Sequence, residues 1–134
     1  MARIHPAGWR SGSEQFPLEA VTLELLEAEL GDEFDVYHAV HWTSLAPHLG
    51  SSLGEVDFVV VGPGPQVLLI EQKNGPLIET DDDLLKRYQD GVKSVTTQIG
   101  RSSTALTARL KQRFGRGRVD VEILLFCPDY RVQR

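Results

Sequence analysis

The segment GEVDFVVVGPGPQVLLIEQKNG, residues 54–75, leaves few options for how this chain folds. Two apolar runs, Phe58 to Val61 and Val67 to Ile70, flank a Gly-Pro-Gly-Pro turn. Val, Ile and Phe favour strands, and the turn between the runs makes the pair a hairpin. Neither run alternates with polar residues, which is the pattern of strands covered on both faces. Each nevertheless has an acid at its outer end. Asp57 precedes the first run, Glu71 follows the second, and Lys73 comes two residues later. A charge at the rim of a core needs a partner.

Strand parity turns this into geometry. Side chains alternate along a strand, so Glu71 and Lys73 share a face. With a loop over 62–66, Val61 pairs with Val67 and Asp57 falls opposite Glu71. Opposed residues have Cβ atoms about 4.5–5.5 Å apart. Two carboxylates at that spacing repel unless a cation lies between them or one takes a proton. Mg²⁺ accepts such a donor set, because it uses one or two carboxylates and completes its shell with water. A one-residue slip in register would point Asp57 to the other face and remove the site. The competing reading makes all three residues solvated strand ends.

Charge distribution supplies a second signal. The 134 residues carry a net charge of −5, which argues against an indiscriminate nucleic-acid binder. Yet residues 93–119 contain no acid and seven bases: Lys93, Arg101, Arg109, Lys111, Arg113, Arg116 and Arg118. The segment is a candidate phosphate-facing surface, or else a solvated helix face balanced by acids elsewhere. A single cysteine, Cys127 in ILLFCPD, reads as a small buried hydrophobe and allows no internal disulfide. No charged-then-apolar leader and no apolar run of membrane-spanning length occur, so the expected location is cytoplasmic, without a membrane partner.

The remaining elements follow from periodicity. Residues 1–16, rich in Gly, Ser and Pro, read as an irregular lead-in to one domain over 1–134. Pro17 to Leu30 reads as a helix with Pro in its first turn, Gly31 after its end, and a Leu23, Leu26, Leu30 stripe. Glu19 lies on that stripe and so points inward at the helix start; its plainer role is to complement the helix dipole. Phe34 to Trp42 alternates as a strand, with Phe34, Val36, His38, Val40 and Trp42 on one face. His38 and His41 then lie on opposite faces, cannot share an ion, and read as structural. Leu77 and Ile78 form a short strand. Acids over 79–83 precede a helical stripe of Leu85, Tyr88, Val92, Val95 and Ile99, continued by Leu106, Leu110 and Phe114. One long helix, or two broken near Gly91, would end at Gly115 and Gly117. Residues 119–126 make a last strand. Helices alternating with strands predict an α/β fold, a mixed sheet with helices on both faces.

The residues Gly54-Glu55-Val56-Asp57, Glu71-Gln72-Lys73-Asn74 and the helix-start Glu19 together resemble the PD-(D/E)xK nuclease superfamily, and more narrowly the nuclease-related domain (NERD). Gln98 matches that family's helical glutamine, although Val95 stands where its proline is usual. The opening MARIHPAGW and the span LGDEFDVYHAVHW are similar to NERD domains that precede helicase modules in bacterial proteins. The resemblance covers nearly the whole chain. It implies a restriction-endonuclease-like αβββαβ core and hydrolysis of DNA phosphodiester bonds. Asp57, Glu71 and the backbone carbonyl of Gln72 would bind Mg²⁺ or Mn²⁺. Lys73 would orient and help deprotonate the water, Glu19 would act on the metal directly or through water, and Gln98 would steady the site or touch the strand being cut. Lys93, Arg101, Arg109, Lys111 and Arg113 are the expected DNA contacts. The chain would be the N-terminal part of a longer protein with a helicase-type module downstream. The alternative is a catalytically silent module that binds DNA or positions a partner.

Overall fold

The computed structural model describes residues 1–46, 50–114 and 119–133. A five-stranded mixed sheet has the order β1-β2-β3-β4-β8, from β1 (Arg3–His5), β2 (Asp35–Ala46), β3 (Gly50–Val61), β4 (Gln66–Gln72) and β8 (Asp120–Phe126). α1 (Pro17–Glu29) covers one face of it and α2 (Val95–Phe114) the other. A small sheet of β5 (Ile78–Glu79), β6 (Leu84–Tyr88) and β7 (Gly91–Ser94) sits between β4 and α2 in the chain. Without β1 and the small sheet, the order is αβββαβ, consistent with a restriction-endonuclease-like core.

The predicted hairpin forms in the predicted register. Val61 pairs with Val67 and the antiparallel ladder runs to Phe58–Ile70. Both strands are interior, so their apolar runs fill both faces. Phe58, Val60 and Ile70 pack with Leu23 of α1, while Val59 and Leu69 pack with Leu106 of α2. β4 is flanked by β8 in parallel, which places Gln72 beside Phe126. That parallel pairing requires a crossover, and α2 supplies it. On α1, Leu23 is fully buried and Leu26 and Leu30 pack beside it, as the stripe implies.

Three expectations are corrected. Residues 1–16 are not wholly irregular: β1 adds to the sheet edge in parallel with β2, and Ala2, Ile4 and Trp9 are core residues. Arg3 holds the Asp35 carboxylate through two hydrogen bonds of 2.8 and 2.7 Å, and His5 approaches it at 2.9 Å. These partners keep the Asp35 pKa well below the usual carboxylate range. The second correction concerns residues 84–94, which form an antiparallel hairpin, so that the helix begins at Val95. The two-residue turn Gln89-Asp90 leads into Gly91 at φ 131, a conformation only glycine adopts readily, and the Asp-Gly signal outweighs the apparent helical spacing. The acids before it still serve a helix start. Ser94 Oγ accepts from the Thr97 amide and donates to Asp83 at 2.7 Å. Gly115 and Gly117 lie outside the described residues.

The third correction is one of parity. Val36 and Phe58 pack on the α1 side, yet Val40 and Val56 belong to the α2 side. Strict alternation would keep 36 with 40 and 56 with 58. The switch occurs where the β2–β3 ladder skips the Ala39–Asp57 pair, and Ala39 has φ 53. A left-handed residue inside a strand rotates the residues after it onto the other face. For alanine this conformation is disfavoured by contact of Cβ with the backbone, and a β-branched side chain worsens it.

Ala39→Val is therefore expected to cost roughly 1–3 kcal/mol in urea unfolding, whereas Ala39→Gly should change stability by less than about 0.5 kcal/mol. Equal tolerance of both substitutions would show that the strand has no left-handed step there.

Candidate active site at the rim of the sheet

The next pair after Phe58–Ile70 would be Asp57 and Glu71, and there the ladder ends. Asp57 is also skipped by β2, so neither neighbour of β3 pairs with it. The opening is closed by the side chain instead. Asp57 Oδ2 accepts a 2.8 Å hydrogen bond from the backbone N–H of Gln72. That bond holds the backbone at the start of Gln72 against the Asp57 carboxylate. Glu71 is on the same stretch, with Lys73 Nζ 3.8 Å from Glu71 Oε1. Both side chains are mostly buried, 18% and 16% exposed, so neither is an ordinary solvated strand end.

Electrostatics records the crowding. Burial pushes the Glu71 carboxyl up to about 7; the Asp57 charge adds to the rise and Lys73 opposes it. Glu19, at the start of α1, is raised too, first by burial and then by Asp57. Glu71 of β4 and Glu19 of α1 thus both feel the charge of Asp57 on β3. Two neighbouring carboxylates offer hard oxygen donors that Lys73, mostly buried beside them, does not fully balance. This fits a divalent cation that keeps part of its water shell. Among the described residues, no three His, Cys, Asp or Glu side chains stand close enough to chelate an ion unaided. An ion here would rely on two carboxylates, the Gln72 carbonyl and water.

Two supports of the site were not anticipated. The Gln72 side chain is buried, accepts from Thr22 Oγ1 at 2.6 Å, and donates to the Leu18 carbonyl and to Asn74 Oδ1. It ties the end of β4 to α1 within a turn of Glu19. The alternation Leu68, Ile70, Gln72 aims it at α1, and that was the available signal. The switch at Ala39 puts His41 on the same face as His38, contrary to simple alternation, and His38 serves the site: Nε2 lies 3.2 Å from Glu19 Oε1. Its ring packs on Phe16 and Phe58 at 4.5 and 5.5 Å. His41 is distant from it in role, 3.9 Å from Glu55 at the surface.

Asp57, Glu71, Gln72 and Lys73 are thus brought together, with Glu19 coupled to them. Gln98 stands half-buried in the first turn of α2, and among the described residues no hydrogen bond links it to this group. Arg101 and Arg109 are exposed on α2. Lys93 is on β7 instead of a helix. The side chains of Lys111 and Arg113, and all of Arg116 and Arg118, lie outside the described residues. No described helix is long and apolar enough to cross a membrane.

A family model described as the nuclease-related domain matches residues 15–127 of this chain. No curated protein and no solved structure matches it.

The raised Glu71 pKa has a stability consequence. A carboxyl that holds its proton more tightly when folded stabilises the fold fully below its unfolded pKa, and that contribution is lost as pH rises to about 7. In metal-free protein at about pH 8, Glu71→Gln should therefore raise unfolding free energy by about 1–3 kcal/mol, with little difference near pH 4. A Glu71→Gln variant less stable than wild type at the higher pH would contradict the crowding described here.

Proposed function

The chain belongs to the nuclease-related domain family, and on that premise we propose that it hydrolyses DNA phosphodiester bonds with Mg²⁺ or Mn²⁺ at the Asp57–Glu71 rim. The observation that carries the reading is the mutual placement of Asp57, Glu71 and Lys73. Asp57 is fixed by the Gln72 amide at 2.8 Å, and Lys73 stands 3.8 Å from Glu71. Asp57, Glu71 and the Gln72 carbonyl would hold the ion. When bound, the ion would acidify water and offset charge on the phosphorane-like transition state.

The protein's own groups supply the rest. Lys73, as an ammonium, orients the attacking water, favours its ionisation with the proton passing to solvent, and lends positive charge to the phosphate oxygens. Its low exposure makes that charge count for more than it would in bulk water. Glu19, steadied by His38, would act through a second water. Gln98, at the start of α2, would contact the strand or support the site. Lys93, Arg101, Arg109, Lys111 and Arg113 would meet the DNA backbone. Likeness of residues 1–9 and 30–42 to domains that precede helicase modules supports a place beside such a module in a longer protein.

Cleavage of labelled single- and double-stranded DNA tests this directly. Wild type with Mg²⁺ or Mn²⁺ should cut, chelation should stop it, and Asp57→Ala or Lys73→Ala should slow it by about 10²–10⁴-fold. Full cleavage by both variants would place the chemistry elsewhere. An inert wild type that still binds DNA, alone and as full-length protein, would select the silent module.

A further inference from the structure

The β6–β7 hairpin places two lysines where an acidic ligand is needed. Lys86 and Lys93 are direct partners across the ladder, so their side chains leave the same face. Tyr88 shares that face by parity with Lys86. Both ammonium groups approach its ring, at 5.6 Å for Lys86 and 5.3 Å for Lys93. Like charges directly opposed on a hairpin destabilise it, and the ring's negative face offsets that in part. Asp90 lies 3.4 Å from Lys93, but this exposed pair at the turn is weak, and among the described residues no acid pairs with Lys86. The arrangement is the inverse of Asp57 and Glu71: two cations crowded where an anion would relieve them.

The base of the small sheet is attached at the end of the main sheet that carries the candidate site. β4 and β8 run parallel, so Glu71, Gln72 and Phe126 mark one end of the main sheet. The chain leaves β4 through Lys73 and Gly75, whose amide donates to Asp129 at 2.7 Å. Leu77 and Leu84 of the small-sheet segment then pack with Val95, against Leu125, Cys127 and Tyr130. The small sheet is thus anchored to the sheet end that carries the carboxylates and Lys73. Tyr130 also donates to Glu79 of β5 at 2.9 Å, which fixes the hairpin's base.

We propose that Lys86 and Lys93, held over Tyr88, form a phosphate-binding subsite for the nucleic-acid strand that lies in the active site. This rests on the nuclease reading, because it takes the ligand to be a phosphodiester of the substrate. The two lysines hold one backbone phosphate away from the scissile bond, and the Tyr88 ring offsets part of their mutual repulsion. The subsite positions substrate and takes no part in bond breaking.

Equilibrium binding of labelled single- and double-stranded DNA, followed by fluorescence anisotropy in EDTA between about 50 and 200 mM salt, separates the outcomes. Lys86→Gln with Lys93→Gln should weaken binding several-fold at low salt and lower the slope of log K against log salt by about 1. Lys86→Arg with Lys93→Arg should bind like wild type, Tyr88→Phe likewise, and Tyr88→Ala should fall between. A double Gln variant with wild-type affinity and slope overturns the proposal. So does weakened binding at unchanged slope, which marks a structural effect. If wild type binds no DNA, the subsite and the nuclease reading both fail. If wild type binds and cuts but ignores these substitutions, the subsite alone fails.

Discussion

The structure depends on how Asp57 is held. β3 would normally pair on both sides at this residue, and it does so on neither. The carboxylate takes over the missing ladder bond by accepting from the Gln72 amide. This lets β4 end, lets the sheet part, and leaves Asp57 and Glu71 facing one another at the gap. A backbone pair in the same place would have closed the sheet and left no room for chemistry. The left-handed Ala39 across from Asp57 is the strain that accompanies the opening.

Core residues flank that opening. Phe58 and Leu69 are essentially fully buried next to it, one on each face. Gln72 links β4 to α1, and His38 links β2 to Glu19, so three elements fix the carboxylates' positions. The acids themselves oppose folding. Glu71 is driven toward its neutral form by burial and by Asp57. A site that carries a stability cost at neutral pH, inside a core that would tolerate neutral residues there, is the usual signature of function.

Much of this was legible in the sequence because the hairpin's turn and apolar runs admit one sensible register. With Val61 opposite Val67, parity alone set Asp57 against Glu71 and Lys73 beside them. The nuclease-related resemblance agrees with the family match, and the order of helices and strands gave the mixed sheet. The failures have physical causes. Leu85, Tyr88 and Val92 fit helical spacing, but the Gln89-Asp90 turn folds that stretch back on itself. Alternation in β2 could not foresee Ala39's positive φ, which shifts Val40 to the other face. The first residues looked irregular because a three-residue edge strand has too short a pattern to read. Gln72 shares a parity with Leu68 and Ile70, but a polar residue at a core position does not announce its partner, and Thr22 lies fifty residues away in the chain.

The central proposal is that Asp57 and Glu71 jointly hold a divalent ion. Anomalous scattering from crystals soaked in Mn²⁺ tests it most directly. The account predicts a peak between the two carboxylates, within bonding reach of the Gln72 carbonyl, that vanishes in Asp57→Asn. Manganese bound elsewhere, or no peak at this rim in crystals of intact protein, would contradict it.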